Sequence, residues 1–137
     1  MKRITLGKLF SFYVDIFNRF GLHLLSETDQ MLGYYVFEAT GIEIGYCSNQ
    51  ILTQFLDEGM IDQEIFENSS FLLESFRRLE NTMPIRNAES IRNSPEWKKL
   101  MELSDNIKKM IKTKWTDEEL QAIYGFDQPV NLNTGCD

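Results

Sequence analysis

Residues 94–125, SPEWKKLMELSDNIKKMIKTKWTDEELQAIYG, predict two helices joined by a sharp turn, and they decide the fold class. Ser94 is a good N-cap, because its hydroxyl can accept a hydrogen bond from a backbone N–H of the first turn. Pro95 suits the first helical position, where a missing N–H has no consequence. Thr116 and Glu119 have the spacing of a capping box, which starts the second helix.

Both of these helices are amphipathic. Their apolar residues recur mostly at spacings of three or four, which places them on one stripe, and lysines occupy much of the remaining surface of the first helix. Gly125 is expected to end the second helix in the left-handed conformation. The apolar residues are Trp97, Leu100, Met101, Leu103, Ile107, Met110, Ile111, Leu120, Ile123 and Tyr124.

Composition indicates a folded globular protein. The chain has 137 residues, 42% of them hydrophobic, which is enough for one domain with a core that needs no disulfide or metal. Cys47 and Cys136 show no pairing motif and are expected to be reduced thiols of a cytoplasmic protein, with a long-range disulfide kept as the alternative. We find no apolar run long enough to span a membrane and no signal peptide. The net charge of −7 disfavours non-specific nucleic-acid binding and favours a basic partner.

The N-terminal third of the chain also predicts helices. Apolar residues at helical spacing indicate one helix over residues 5–20, buried on two sides and ended by Gly21. Ser26 is expected to cap a second helix that stops at Gly41. Residues 41–46 are predicted to be a linker with extended character.

Two further helices follow this linker. Ser48 is expected to cap the third helix, which ends at Gly59, and Asp62 is expected to cap the fourth. The fourth helix has a predicted break at residues 68–70, and Phe71 is placed on its apolar stripe.

The whole chain therefore predicts an all-α, single-domain bundle of about six helices. Residues 81–93 are expected to be irregular, with one short turn near residues 88–91, because Pro84 interrupts helical geometry. We assign residues 1–126 to the helical domain and residues 127–137 to a C-terminal strap or tail.

No catalytic, cofactor or metal signature is present in the sequence. His23 is the only histidine, and no cysteine or carboxylate is spaced to complete a metal site with it. Cys47 precedes a predicted helix start, which can lower a thiol pKa, but no partner group is assigned to it. We expect no enzyme activity, with an enzyme that uses Cys47 or paired carboxylates kept as an alternative.

Residues 51–66, ILTQFLDEGMIDQEIF, resemble the turn of a winged helix. A DNA-reading helix needs basic and amide side chains, whereas this one presents Asp62, Glu64 and Glu67. A nucleic-acid-binding regulator that uses residues 48–67 and the lysine-rich helix therefore remains only an alternative.

The acidic residues between positions 43 and 67 are the preferred candidate site. An acidic set of this kind can be merely a solvated surface, or it can dock a basic protein and occupy the place of phosphate. Tyr46 and Phe66 are candidate aromatic anchors for such a partner. The predicted partner-binding residues are Glu43, Tyr46, Asp57, Glu58, Asp62, Glu64 and Glu67.

Three phrases of the sequence resemble immunity proteins of bacterial contact-dependent growth inhibition systems. The phrases are LGYYVFEATGIEIGY (residues 32–46), SPEWKKLMELSDNIKKMI (residues 94–111) and WTDEELQAIYGF (residues 115–126). The resemblance implies a cytoplasmic inhibitor that binds a cognate toxin domain, commonly a nuclease, in a one-to-one complex. It implies no cofactor, no direct nucleic-acid contact and no membrane, and it identifies no individual residue as a binding position.

Overall fold

The computed structural model describes residues 4–41, 44 and 47–130, and these residues form a bundle of helices. The predicted all-α, single-domain architecture is confirmed, with seven α-helices and no strand among the described residues. A 3₁₀ helix, Leu22–Ser26, precedes α2, and a π-helix, Tyr34–Thr40, continues it. The α-helices are α1 Leu6–Arg19, α2 Asp29–Gly33, α3 Asn49–Asp57, α4 Gln63–Thr82, α5 Ala88–Arg92, α6 Pro95–Lys114 and α7 Asp117–Tyr124.

Most predicted helix starts are confirmed, because the predicted caps make their hydrogen bonds. The side chains of Ser48, Asp62 and Ser94 each accept a hydrogen bond from a backbone N–H three residues on. The capping box of α7 is closed in both directions, with Glu119 N–H donating to Thr116 and Thr116 N–H donating to the Glu119 carboxylate. The turn predicted near residues 88–91 is the short helix α5.

The predicted cap of the second helix is wrong. Thr28, not Ser26, caps α2, and its hydroxyl accepts a hydrogen bond from the backbone N–H three residues on. Ser26 ends the preceding 3₁₀ helix instead. The cause is a contact with a distant helix: the Arg92 guanidinium donates to the carbonyl oxygens of Leu25 and Glu27, which holds this segment out of the α-helix.

Two glycines differ from their predicted roles, which were a helix stop for Gly41 and a left-handed helix end for Gly125. Gly41 has φ −59° and helical backbone, and Ile44 is helical too, so the extended linker predicted for residues 41–46 is wrong at these two residues. Gly125 has φ −85°, because α7 ends in a tight turn in which the Gly125 N–H donates to the carbonyl oxygen of Ala122, three residues back. Gly59, with φ +74°, does adopt the left-handed conformation that ends α3.

Helix α4 is continuous, so the break predicted at residues 68–70 is wrong. Ser69 is fully buried, and its hydroxyl lies 2.6 Å from the phenol oxygen of Tyr13 on α1. Phe71, which was placed on the apolar stripe, is 62% exposed. The face of α4 that packs on the core therefore includes the hydrogen-bonded Ser69, whereas Phe71 lies on the solvent side.

Helix α1 lies at the centre of the core and joins two aromatic clusters. At its end, Phe20 packs edge-on against Phe76 of α4 at 5.3 Å between ring centroids, and Phe76 packs on Trp97 of α6 at 5.1 Å. In its middle, Tyr13 lies 5.3 Å from Phe55 of α3. These contacts fix α3, α4 and α6 around α1.

Helix α7 is held against the start of α1 by a close backbone approach. A Cβ atom on Gly7 would lie 2.6–2.7 Å from the carbonyl oxygens of Ile123, Tyr124 and Phe126. The Gly7 N–H donates to the Phe126 carbonyl at 3.0 Å, and the following residues pair with the chain ahead of α1. Glycine is required here because nothing larger fits between the two backbones.

None of the helices in the described part of the chain is long and apolar enough to cross a membrane.

Candidate functional site

The cysteine and the histidine considered for catalysis differ in their exposure. Cys47 is fully buried, so no reagent or substrate can reach its thiol. His23 is exposed on the 3₁₀ helix, and Cys136 lies outside the described residues. Among the residues that the structure describes, no group of histidine, cysteine, aspartate or glutamate is arranged to hold a metal ion.

The acidic residues, by contrast, meet where α3 leads into α4. Asp57 is the last residue of α3, and Glu58 follows it; both are exposed. The left-handed Gly59 then reverses the chain, and Met60 returns to the core with its N–H donating to the Phe55 carbonyl at 2.9 Å. The turn therefore presents the carboxylates to solvent and is itself fixed by the core.

The first turns of α4 extend this surface. Asp62 accepts a hydrogen bond from the Ile65 N–H at 2.8 Å, so it serves as a helix cap while it remains exposed. Glu64 is exposed, and Glu67 accepts a hydrogen bond from the side chain of Gln63 at 2.9 Å. We use the term acidic face for Asp57, Glu58, Asp62, Glu64 and Glu67. The other two predicted binding residues, Glu43 and Tyr46, lie outside the described residues.

The placement of two of these carboxylates opposes local helix stability. Asp57 and Glu58 stand at the C-terminus of α3, the negative end of the helix dipole, and the last turn of α3 contains no basic residue. A carboxylate at this end typically costs about 0.3–1 kcal/mol. Stabilisation of α3 therefore does not explain why acids occupy these positions.

An exposed aromatic residue continues the acidic face along α4. Glu64, Glu67, Phe71 and Glu74 follow at spacings of three and four, which places them on one side of the helix. Phe71 is 62% exposed, whereas the predicted anchor Phe66 is half-buried and packs against the core. The helical phase of Phe71 relative to these glutamates was the sequence signal for its exposure.

An apolar groove of about 290 Å³ borders the acidic face and was not anticipated from the sequence. It lies between the α3–α4 turn and α7, and the Trp115 indole N–H donates to the Met60 carbonyl at 2.8 Å across its floor. Its polar border includes Glu58. The apolar side chains that line it are Met60, Trp115, Ala122, Ile123 and Phe126.

A larger groove of about 650 Å³ separates α2 and the π-helix from α5, but it carries charges of both signs. Arg92 pairs with Asp29 at 3.1 Å, and Arg86 pairs with Glu80 at 2.9 Å. The Arg86 guanidinium also lies 5.0 Å from the centre of the Phe37 ring. The charged residues that line it are Asp29, Glu38, Glu89 and Arg86, so this groove presents no uniform charge to a ligand.

The lysine-rich helix α6 is the part of the structure that a nucleic-acid-binding protein would use. Its lysines are exposed apart from the half-buried Lys108, and Lys112 donates to Asp117 at 2.7 Å. This hydrogen bond and the Lys112 charge lower the pKa of the Asp117 carboxyl below its ordinary value of 3.8. The helix that would read DNA, α4, exposes glutamates instead, which repel phosphate.

Comparison with models of known protein families finds none that matches this chain, and comparisons with curated proteins and with solved structures likewise find no match. A function must therefore be argued from the geometry and charge of the site itself.

Proposed function

We propose that this protein is an inhibitor of the immunity type, which binds and neutralises a basic toxin domain of a bacterium through the acidic face. The observation that carries the proposal is the exposed carboxylate cluster at the α3–α4 turn, which includes Asp57 and Glu58 at an unfavourable helix end. A nuclease toxin must bind a polyanion, so its active-site surface is basic and complements such a cluster. Inhibition by covering that surface requires no catalytic group on the inhibitor.

Charge and shape have different roles in this proposal. The acidic face steers the partner and accelerates association, which is the usual effect of complementary surface charge. Slow dissociation needs a desolvated anchor, and an exposed aromatic side chain within the charged stripe, Phe71, supports that requirement. The complex is expected to be one-to-one and cytoplasmic, and this chain is expected to contact neither nucleic acid nor membrane.

The first experiment is a pull-down from the native lysate with tagged protein, followed by mass spectrometry. We expect a basic toxin domain at one-to-one stoichiometry. Recovery of nucleic acid alone would favour the alternative of a regulator, and an activity lost in Cys47→Ala would favour the alternative of an enzyme. Recovery of nothing, even at low salt, would refute the inhibitor proposal.

Charge reversal then tests whether the acidic face is the contact. The variant Asp57→Lys, Glu58→Lys, Glu64→Lys leaves the Asp62 cap intact, so α4 keeps its start. The matched control reverses three exposed glutamates elsewhere, and its overall net charge is the same. The control residues are Glu27, Glu38 and Glu102.

We expect the first triple variant to slow association with the captured toxin domain on the order of tenfold at low salt, and the control to slow it much less. Stopped-flow fluorescence measures the rate, and circular dichroism checks that both variants remain helical. Equal association rates for the two triple variants would show that only net charge matters and would remove the acidic face as the contact.

A further inference from the structure

We infer that the apolar groove beside the acidic face is the anchor pocket of the interface, and that it takes one apolar side chain flanked by lysine or arginine on a partner protein. This inference rests on the proposed function and deepens it, because it names the chemistry of the segment that is bound. Three features of the groove carry it: its size, its lining and the charge around it.

The size of the groove suits a side chain and not a whole cofactor. Its volume of about 290 Å³ is at the lower limit of pockets for small molecules, roughly 300–1,000 Å³. Its walls are mostly apolar and come from Met60, Trp115, Ala122, Ile123 and Phe126, with Glu58 and Gly59 at the turn. Such a lining gains free energy when it buries an apolar group and offers no set of polar groups to orient a metabolite.

The charge around the groove selects the residues that flank this side chain. Glu58 lines the groove and Asp57 precedes it, while Asp127 follows the lining residue Phe126; all three are exposed. Glu118, also exposed, lies one helical turn before the lining residue Ala122 on α7. An apolar pocket bordered by carboxylates complements an apolar side chain with cationic neighbours.

The indole of Trp115 is held in place beside a cation of this chain. The Lys114 ammonium already lies 4.9 Å from the centre of the Trp115 ring, which is within the range of a cation–π contact. Because like charges repel, a lysine or arginine of the partner is expected beside the carboxylates and not at this indole. Its N–H is used by the Met60 carbonyl, so the ring is held in place before any partner arrives.

A peptide titration tests the inference with a defined probe. The probe is the synthetic peptide KKKLKKK, and its partner KKKSKKK differs only in the central residue. The protein has two tryptophans, of which Trp97 is 1% exposed, so a change in fluorescence on peptide addition reports the groove residue Trp115. We expect the leucine peptide to shift the emission to shorter wavelength and to bind on the order of tenfold more tightly than the serine peptide.

Two adjacent substitutions separate the pocket from general charge. Ala122→Arg fills the groove, whereas Gln121→Arg adds the same charge at an exposed neighbouring position that does not line it. We expect Ala122→Arg to abolish the preference for leucine and Gln121→Arg to keep it. Circular dichroism confirms that both variants fold.

The possible failures are distinguishable. Equal, salt-sensitive binding of both peptides would overturn the anchor pocket and leave the acidic face in place. Binding of neither peptide at low salt would overturn the pocket and the proposed function together. Sedimentation that shows a dimer of this chain, broken by Ala122→Arg but not by Gln121→Arg, would mean that a second copy covers the groove and would also overturn the inference.

Discussion

The buried hydrogen bond between Ser69 and Tyr13 gives a quantitative test of the core. The two oxygens lie 2.6 Å apart, both residues are fully buried, and they join α4 to α1. Ser69→Ala removes the partner of a phenol that water cannot reach, and an unsatisfied buried hydroxyl costs about 1–3 kcal/mol. The gain in helix propensity from alanine offsets at most about 0.5 kcal/mol of this.

A double-mutant cycle adds two variants, Tyr13→Phe and the double variant Ser69→Ala, Tyr13→Phe, which should respond differently. Tyr13→Phe leaves the Ser69 hydroxyl, which can turn to the carbonyl oxygen of the preceding helical turn, so we expect a loss of only about 0.5–1.5 kcal/mol. The double variant leaves no unsatisfied group and is expected to be more stable than Ser69→Ala alone. The coupling free energy between the two residues should therefore reach about 1 kcal/mol or more.

Urea unfolding followed by circular dichroism measures all four proteins, with the free energy of unfolding taken from linear extrapolation. Ser75→Ala, at a second buried serine of the same helix, measures the propensity gain. Additive losses, with a coupling free energy near zero, would refute the argument that this hydrogen bond stabilises the core.

Three further predictions concern stability. Gly7→Ala should destabilise the protein by about 2 kcal/mol or more, because the new Cβ meets backbone carbonyls. Gly33→Ala has open space and φ −60°, so it should stabilise the protein by about 0.4–1 kcal/mol. Thermal unfolding compares the two variants, and equal effects would contradict the close approach of the Gly7 backbone to α7. Phe71→Ala should change the unfolding free energy by less than about 0.5 kcal/mol, while Phe76→Ala should lower it by about 3–5 kcal/mol in the same urea assay; a large loss for the former would place that side chain in the core. Burial raises the pKa of the Tyr13 phenol above its ordinary 10.0, so above about pH 10 the folded state keeps a proton that the unfolded state loses. The free energy of unfolding should therefore fall as pH rises above about 10, by at most about 1.4 kcal/mol per pH unit from this group. Tyr13→Phe should flatten that decline, and an unchanged slope in urea titrations would refute the role given to Tyr13.

The fold could be predicted from sequence wherever local chemistry decides it. The caps at Ser48, Asp62, Ser94 and Thr116 are local signals, because each side chain bonds a backbone N–H only three residues away. The wrong cap of α2 arose where a distant residue overrides local preference. Arg92 bonds the segment before α2 from 65 and 67 residues further along the chain, and no pattern near that segment indicates this contact.

The candidate site was predictable in part. The carboxylates of the acidic face are exposed because α3 and α4 turn their apolar stripes inward, and periodicity shows this directly. Phe71 is hydrophobic and was therefore predicted to lie on the apolar stripe of α4, but its helical phase matches that of the exposed Glu67 and Glu74. The groove could not be predicted, since Met60 and Trp115 meet only after α3, α6 and α7 have packed.

The same packing makes the groove a preorganised surface. Its turn is tied to α3 by the hydrogen bond from the Met60 N–H to the Phe55 carbonyl, and its far wall is tied to α1 by the hydrogen bond from the Gly7 N–H to the Phe126 carbonyl. Trp115 joins the two sides through its bond to Met60. A partner that docks here orders few side chains, so little binding free energy is lost to conformational entropy. In the proposed complex, the acidic face would set the rate of association and the groove the rate of dissociation, which is the division that a tight inhibitor requires.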